Sequence, residues 1–83
     1  MTGEPTVVLY GKPGCCLCDE AREAVARVRE QHPFELEEVD VSTDPGLQHE
    51  YGERIPVLAL DGEELFEFHV DAAELARRLQ SAR

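Results

Sequence analysis

The stretch Thr6-Val7-Val8-Leu9-Tyr10-Gly11-Lys12-Pro13-Gly14-Cys15-Cys16-Leu17-Cys18 changes character twice in thirteen residues. Thr6 to Tyr10 is a short apolar run, rich in β-branched residues and bounded by Pro5 and Gly11. A continuous run of that length predicts a central strand buried on both faces. Pro13-Gly14 then breaks the chain. From about Cys16 the apolar period becomes helical, through Leu17, Ala21, Ala24, Val25 and Val28, with Arg22, Glu23, Arg27 and Glu30 on the polar side. Asp19 and Glu20 fall in the first turn, where the helix dipole favours them, and His32-Pro33 ends the helix. The segment therefore predicts a strand that hands over directly to a helix, with three cysteines at the junction.

Reading outward from the junction, Phe34 to Val41 predicts a second strand. Phe34 and Leu36 share one parity and Val39 and Val41 the other, so the alternation slips at Glu37-Glu38; an edge strand with a bulge, or with a tolerated acidic residue, accounts for this. Ser42-Thr43-Asp44-Pro45 reads as a cap followed by proline at the first helical position of a short helix carrying Leu47 and Tyr51 and stopped by Gly52. Pro56 to Leu60, Asp61-Gly62 and Glu63 to Phe68 spell a hairpin with a type I′ turn, in which Phe66 and Phe68 alternate around Glu67. Asp71 caps a last helix that buries Leu75 and Leu79, and Glu74 is placed to reach back to it. The order is βαβαββα. It predicts an α/β fold, with a four-stranded mixed sheet flanked by three helices, in one domain spanning residues 1–83.

All three cysteines lie between positions 15 and 18 of an 83-residue chain. A secreted disulfide scaffold spreads its cysteines to clamp distant segments, whereas this cluster concentrates sulfur chemistry at one point. Helical residues three apart have Cβ atoms about 5–6 Å apart, within reach of a disulfide. Cys15 would face the unsatisfied N–H groups of the helix start, which stabilise an anion, and Lys12 adds a positive charge. Cys18, one turn further in, would be the more buried thiol. Cys15 then attacks a disulfide and Cys18 resolves the mixed disulfide. Cys16, about 100° further around the helix axis than Cys15, points away from that pair.

Two rival readings of the cluster stay open. One is three cysteines that merely fill a core. The other is a zinc or iron–sulfur carrier, which usually takes about four ligands; no second cysteine pair exists and His32, His49 and His69 lack ligand spacing, leaving a cluster shared between two chains. A redox sensor that oxidises without turnover is a third alternative to an enzyme.

Charge narrows the partners. Eighteen acidic residues against eight basic ones give a net charge of −10, without the basic clusters that nucleic acid or an anionic membrane surface requires. Met1-Thr2-Gly3-Glu4-Pro5 contains no apolar secretory core, and no apolar run approaches membrane-spanning length. The expectation is a cytoplasmic monomer without a bound cofactor or metal.

Lys12-Pro13-Gly14-Cys15-Cys16-Leu17-Cys18 resembles the K-P-x-C-P-Y-C segment of glutaredoxins, and Arg54-Ile55-Pro56 resembles their T-V-P. Nearly the whole chain matches in element order, which implies the α/β thioredoxin fold, and the small bacterial glutaredoxin-like proteins with P-G-C-x-L-C-[DE] are the most similar group. The resemblance implies a disulfide oxidoreductase acting on protein or mixed glutathione disulfides, with Cys15 as nucleophile and Cys18 as resolving thiol. It implies that Lys12 contacts a substrate carboxylate, that Pro56 is cis, and that the Ile55 backbone pairs with a bound peptide. Asp71 matches the acidic residue at the start of the last helix. The implied partners are a disulfide-containing protein or small thiol, and either a thiol reductase or glutathione as co-substrate. The chain departs from the family at Cys16-Leu17, where glutaredoxins have Pro-Tyr, and at Phe66-Glu67-Phe68-His69, where they have Gly-Gly. The second departure leaves less room for the tripeptide, and the many carboxylates repel it.

Overall fold

The structure is a computed structural model and describes residues 5–81; residues 1–4, most of the segment read above as lacking a secretory core, and 82–83 lie outside the described residues. The elements are β1 (Thr6–Gly11), α1 (Cys16–Gln31), β2 (Glu35–Asp40), a 3-10 turn (Val41–Thr43), α2 (Pro45–Tyr51), β3 (Val57–Leu60), β4 (Glu63–Glu67) and α3 (Ala72–Ser81). The sheet order is β2-β1-β3-β4, with β1 parallel to β2 and antiparallel to β3, and β3 antiparallel to β4. This is the expected thioredoxin-type arrangement.

One face of the sheet carries α1 and α3. Val7 and Leu9 of β1 and Leu58 and Leu60 of β3 pack there with Ala21, Val25 and Val28 of α1 and Leu75 and Leu79 of α3. Leu58 and Leu75 are fully buried, so truncating either to alanine costs about 2–5 kcal/mol. The opposite face is covered more thinly. The short helix α2 brings Leu47 and Tyr51 to Tyr10, and only that end of the face is closed. The expectation that β1 is buried on both faces is therefore corrected: Val8 and Tyr10 are half-buried, and β3 is the strand buried along its whole length.

Two irregularities fall elsewhere than the pattern predicts. β2 pairs with β1 in unbroken register from Thr6–Glu35 to Gly11–Asp40, so it holds no bulge. It is an edge strand with a tolerated acid: Glu38 accepts a hydrogen bond from Arg22 of α1 at 2.9 Å. Phe34 and Val41, whose parity created the apparent slip, lie outside the strand, each buried in a flanking turn. The register shift is instead in the β3–β4 pair, where Leu58 opposes Phe66 but Ala59 opposes Glu64. That shift inserts Leu65, so Leu65 and Phe66 both pack towards the core, and Phe68 leaves the strand instead of alternating with Phe66.

The turns follow local chemistry. Asp61 (φ 50°) and Gly62 (φ 89°) make the hairpin turn with both central residues left-handed, as a type I′ turn demands. Asp44 caps α2 through Gly46 and Leu47, with Pro45 first in the helix. Asp71 caps α3 through the N–H groups of Ala73 and Glu74 at 3.1 and 3.2 Å. Glu74 does not complete a reciprocal cap; its carboxylate is taken by Arg77 and Arg78, because those guanidinium groups lie one turn along the same helix face.

Candidate functional site

The site begins at Gly11, where β1 ends. Cys15 is extended (φ −99°, ψ 118°) and is the N-cap of α1, accepting the Cys18 N–H on its sulfur at 3.4 Å. The usual capping residue is a short oxygen-bearing side chain; here the cap acceptor is the chemically reactive atom. A thiolate in that position is a better acceptor than a thiol, and it faces the positive end of a sixteen-residue helix. Cys18 is fully buried one turn further on, Cys15 is half-buried and Cys16 is exposed; all three are free thiols.

The two thiols are polarised in opposite directions. Cys15 is pulled below the ordinary thiol value, first by a hydrogen bond from the Cys18 side chain, against burial, and then by the backbone N–H groups of Cys18 and Leu17 and the charge of Lys12. Cys18 is pushed up, first by burial and then by the hydrogen bond it gives to Cys15, while the Lys12 backbone N–H and the Arg22 charge act the other way. Lys12 thus acts on the pair through two different groups. Its ammonium is the weakest of the influences on Cys15, and its backbone amide addresses Cys18.

Gly11 is a site residue that the sequence reading passed over. A Cβ built there would lie 2.9 Å from the Cys18 sulfur. The strand end must be glycine for the resolving thiol to fit against it. A glycine ending an apolar strand four residues before a C-x-x-C was the available signal.

The opposing wall comes from residues distant in sequence. Ile55, bonded to Pro56 by a cis peptide, is buried with Cys18 and Val41, and Tyr10, Cys15, Leu47 and Tyr51 pack around them. Tyr51 stacks on Tyr10 with ring centroids 4.0 Å apart and planes 14° apart. The hydrogen bond it gives to Tyr10 and the burial around it leave the Tyr51 hydroxyl with its pKa pushed up to about 12. Arg54 lies over the Tyr51 ring at 5.4 Å and bonds Glu64 (2.9 Å), Glu67 (3.0 Å) and the Glu50 carbonyl (3.1 Å). These contacts tie the loop before Pro56 to both α2 and β4. Neither the tyrosine stack nor the bonds from Arg54 to Glu64 and Glu67 had a local signal, because those partners lie ten or more residues apart in the chain.

Of the predicted site residues, Cys15, Cys18 and Ile55 come together in one cluster, and Pro56 follows Ile55 directly. The Lys12 side chain is exposed beside it, lining with Gly11, Pro13, Arg22 and Glu38 a cleft of about 250 Å³. Asp71 has its Oδ1 engaged in capping α3. Among the described residues no group of three or more histidine, cysteine or acidic side chains is placed to hold a metal ion, and no helix is long and apolar enough to cross a membrane.

The chain is similar in sequence and fold to several known proteins. An uncharacterized protein of Mycobacterium tuberculosis is 34% identical over 76 residues, 86% of this chain and 78% of that one. The X-ray structure of XcR50 from X. campestris, a structural-genomics target, superposes with a TM-score of 0.76 at 36% identity, covering 93% of this chain and 99% of that one. A mutant thioredoxin from Halobacterium salinarum matches with a TM-score of 0.70 at 25% identity, over 95% of this chain and 74% of that one. The family model described as Glutaredoxin-like domain (DUF836) matches residues 6–80. With its strand-to-helix dithiol, its cis proline and its thioredoxin-type sheet, the chain belongs to that glutaredoxin-like family.

Proposed function

We propose that the protein is a thiol–disulfide oxidoreductase that reduces protein or mixed glutathione disulfides through Cys15 and Cys18. The observation that carries this is the asymmetry of the pair: a half-buried Cys15 with a lowered pKa, bonded to a fully buried Cys18 with a raised one. A metal carrier needs both sulfurs as equivalent thiolate donors; sequential attack needs one thiolate and one thiol held in reserve.

The Cys15 thiolate attacks one sulfur of the substrate disulfide. The S–S bond breaks, the second substrate sulfur leaves as a thiolate and takes a proton from solvent, and Cys15 becomes a mixed disulfide. Once Cys15 is no longer anionic, the hydrogen bond holding the Cys18 proton is lost. Cys18 gives up that proton, attacks the Cys15 sulfur, and releases the remaining substrate thiol. The substrate gains two electrons and the chain is left with a Cys15–Cys18 disulfide, which a thiol reductase or glutathione returns to the dithiol. Lys12 offers a cation to a substrate carboxylate, and Asp71 stands for the family's acidic residue at the start of α3. Ile55 offers its backbone to an extended peptide: neither its N–H nor its C=O has a backbone partner among the described residues.

Intact mass after exposure to glutathione disulfide tests the reading. Loss of two mass units in the wild-type protein and a stable glutathione adduct in Cys18→Ser are expected. A wild-type mass that does not change would overturn it.

A further inference from the structure

Phe68 combines two independent anomalies. It is the large apolar side chain left exposed among the described residues, at 44%. Its backbone is left-handed, with φ 70°, a conformation that a bulky L-residue adopts only when its surroundings impose it. Glycine would satisfy that backbone freely, as Gly62 does in the hairpin turn. An aromatic residue is kept here against both solvent and backbone preference.

What imposes the conformation is the wall of the site. The Phe68 N–H donates to the Pro56 carbonyl at 2.8 Å and leans on the Arg54 carbonyl at 3.3 Å. Those two carbonyls flank Ile55, the residue whose own backbone groups are open. Arg54 is in turn fixed by Glu64 and Glu67. The Phe68 backbone is therefore bonded to both neighbours of Ile55, which packs in the sulfur cluster and has no backbone partner of its own among the described residues. The chain as a whole is acidic, with a net charge of −10.

Resting on the oxidoreductase reading, we propose that Phe68 sets the specificity of the site. Its ring receives an apolar side chain next to the disulfide cysteine of a neutral or basic protein segment, and it selects that segment over anionic disulfides such as glutathione disulfide. An extended segment supplies what the site lacks: backbone partners for Ile55, apolar cover for the ring and no added negative charge. A small tripeptide with two free carboxylates supplies none of the apolar cover and meets like charge.

The test is the rate at which excess disulfide oxidises the reduced full-length chain, followed by intact mass. Three probes are used: a symmetric disulfide of a short peptide with leucine beside its cysteine, the same peptide with glutamate there, and bis(2-hydroxyethyl) disulfide. The wild-type protein is expected to prefer the leucine peptide over the glutamate peptide by roughly tenfold or more, the scale of discrimination an apolar contact provides. Phe68→Gly, which removes the ring and suits the backbone, is expected to erase most of that ratio, and Phe68→Leu to retain most of it. A Phe68→Gly ratio equal to the wild-type ratio overturns this proposal while leaving the exchange reading intact. A wild-type chain oxidised by none of the three probes overturns both.

Discussion

Residues 10–18 hold the two sulfurs and the loop of residues 51–56, to which the Phe68 N–H is bonded, packs against them, yet the two sides are built in opposite ways. The first side is one contiguous stretch in which each group acts on a near neighbour: Cys15 takes the Cys18 N–H, Gly11 makes room for the Cys18 sulfur and the Lys12 amide addresses it. The second side is assembled from α2, the β3 approach and the end of β4, tied by Arg54 and the Tyr10–Tyr51 stack. Sulfur polarity is a local property here, and the surface a substrate meets is a tertiary one. Substitutions on the first side should therefore change the chemistry, and those on the second the choice of substrate.

The most severe break is Cys15→Ser, which should reduce disulfide exchange to background in a turnover assay, because Cys18 is fully buried and cannot replace the nucleophile. Gly11→Ala comes next. Its methyl group must displace the Cys18 sulfur, so overpacking should cost about 1–3 kcal/mol in a denaturation midpoint. It should also slow resolution more than attack, which would appear as accumulated mixed disulfide on Cys15.

The pH dependence sharpens the comparison within the first side. Alkylation of Cys15 should rise with pH through a midpoint below the ordinary thiol range. Cys18→Ala should move that midpoint up more than Lys12→Met does, because the Cys18 hydrogen bond is the largest influence and the Lys12 charge the smallest. The linkage has the matching sign. A folded-state pKa below the unfolded one means that Cys15 ionisation stabilises the reduced fold above the unfolded thiol value, and that this contribution fades as pH falls through the folded value. An alkylation midpoint identical in the wild type and Cys18→Ala would remove the basis for the division of labour.

Asp71→Ala should give the smallest effect. The loss of the α3 cap is worth about 0.5–2 kcal/mol, read as a lower melting temperature. If the same variant also raised KM for a glutathione mixed disulfide, the acidic residue would have a binding role beside its structural one.

The elements near the dithiol were legible because their causes are local. The strand ending at Gly11, the break at Pro13-Gly14 and the helical period from Cys16 all sit in one window, and the hairpin follows from Asp61-Gly62. Of the two readings of β2, the tolerated acidic residue holds and the bulge does not, because the parity slip came from Phe34 and Val41 outside the strand, while the shift at Leu58/Ala59 is set by pairing between two strands. Glu74 was misassigned for a related reason: Arg77 and Arg78 compete for it more strongly than one backbone N–H does.

The sequence by itself determined the pair of sulfurs and the helix start that polarises them, since a cap, a dipole and an i to i+3 spacing require only neighbouring residues. Tertiary structure decided what the sulfurs face. Whether Cys18 is buried against Ile55 and Val41, whether Ile55 is left without backbone partners and whether Phe68 turns left-handed beside Pro56 all depend on contacts between segments a dozen or more residues apart. Those contacts exist only once the sheet has brought β1 and β3 together, and with them the two sides of the site.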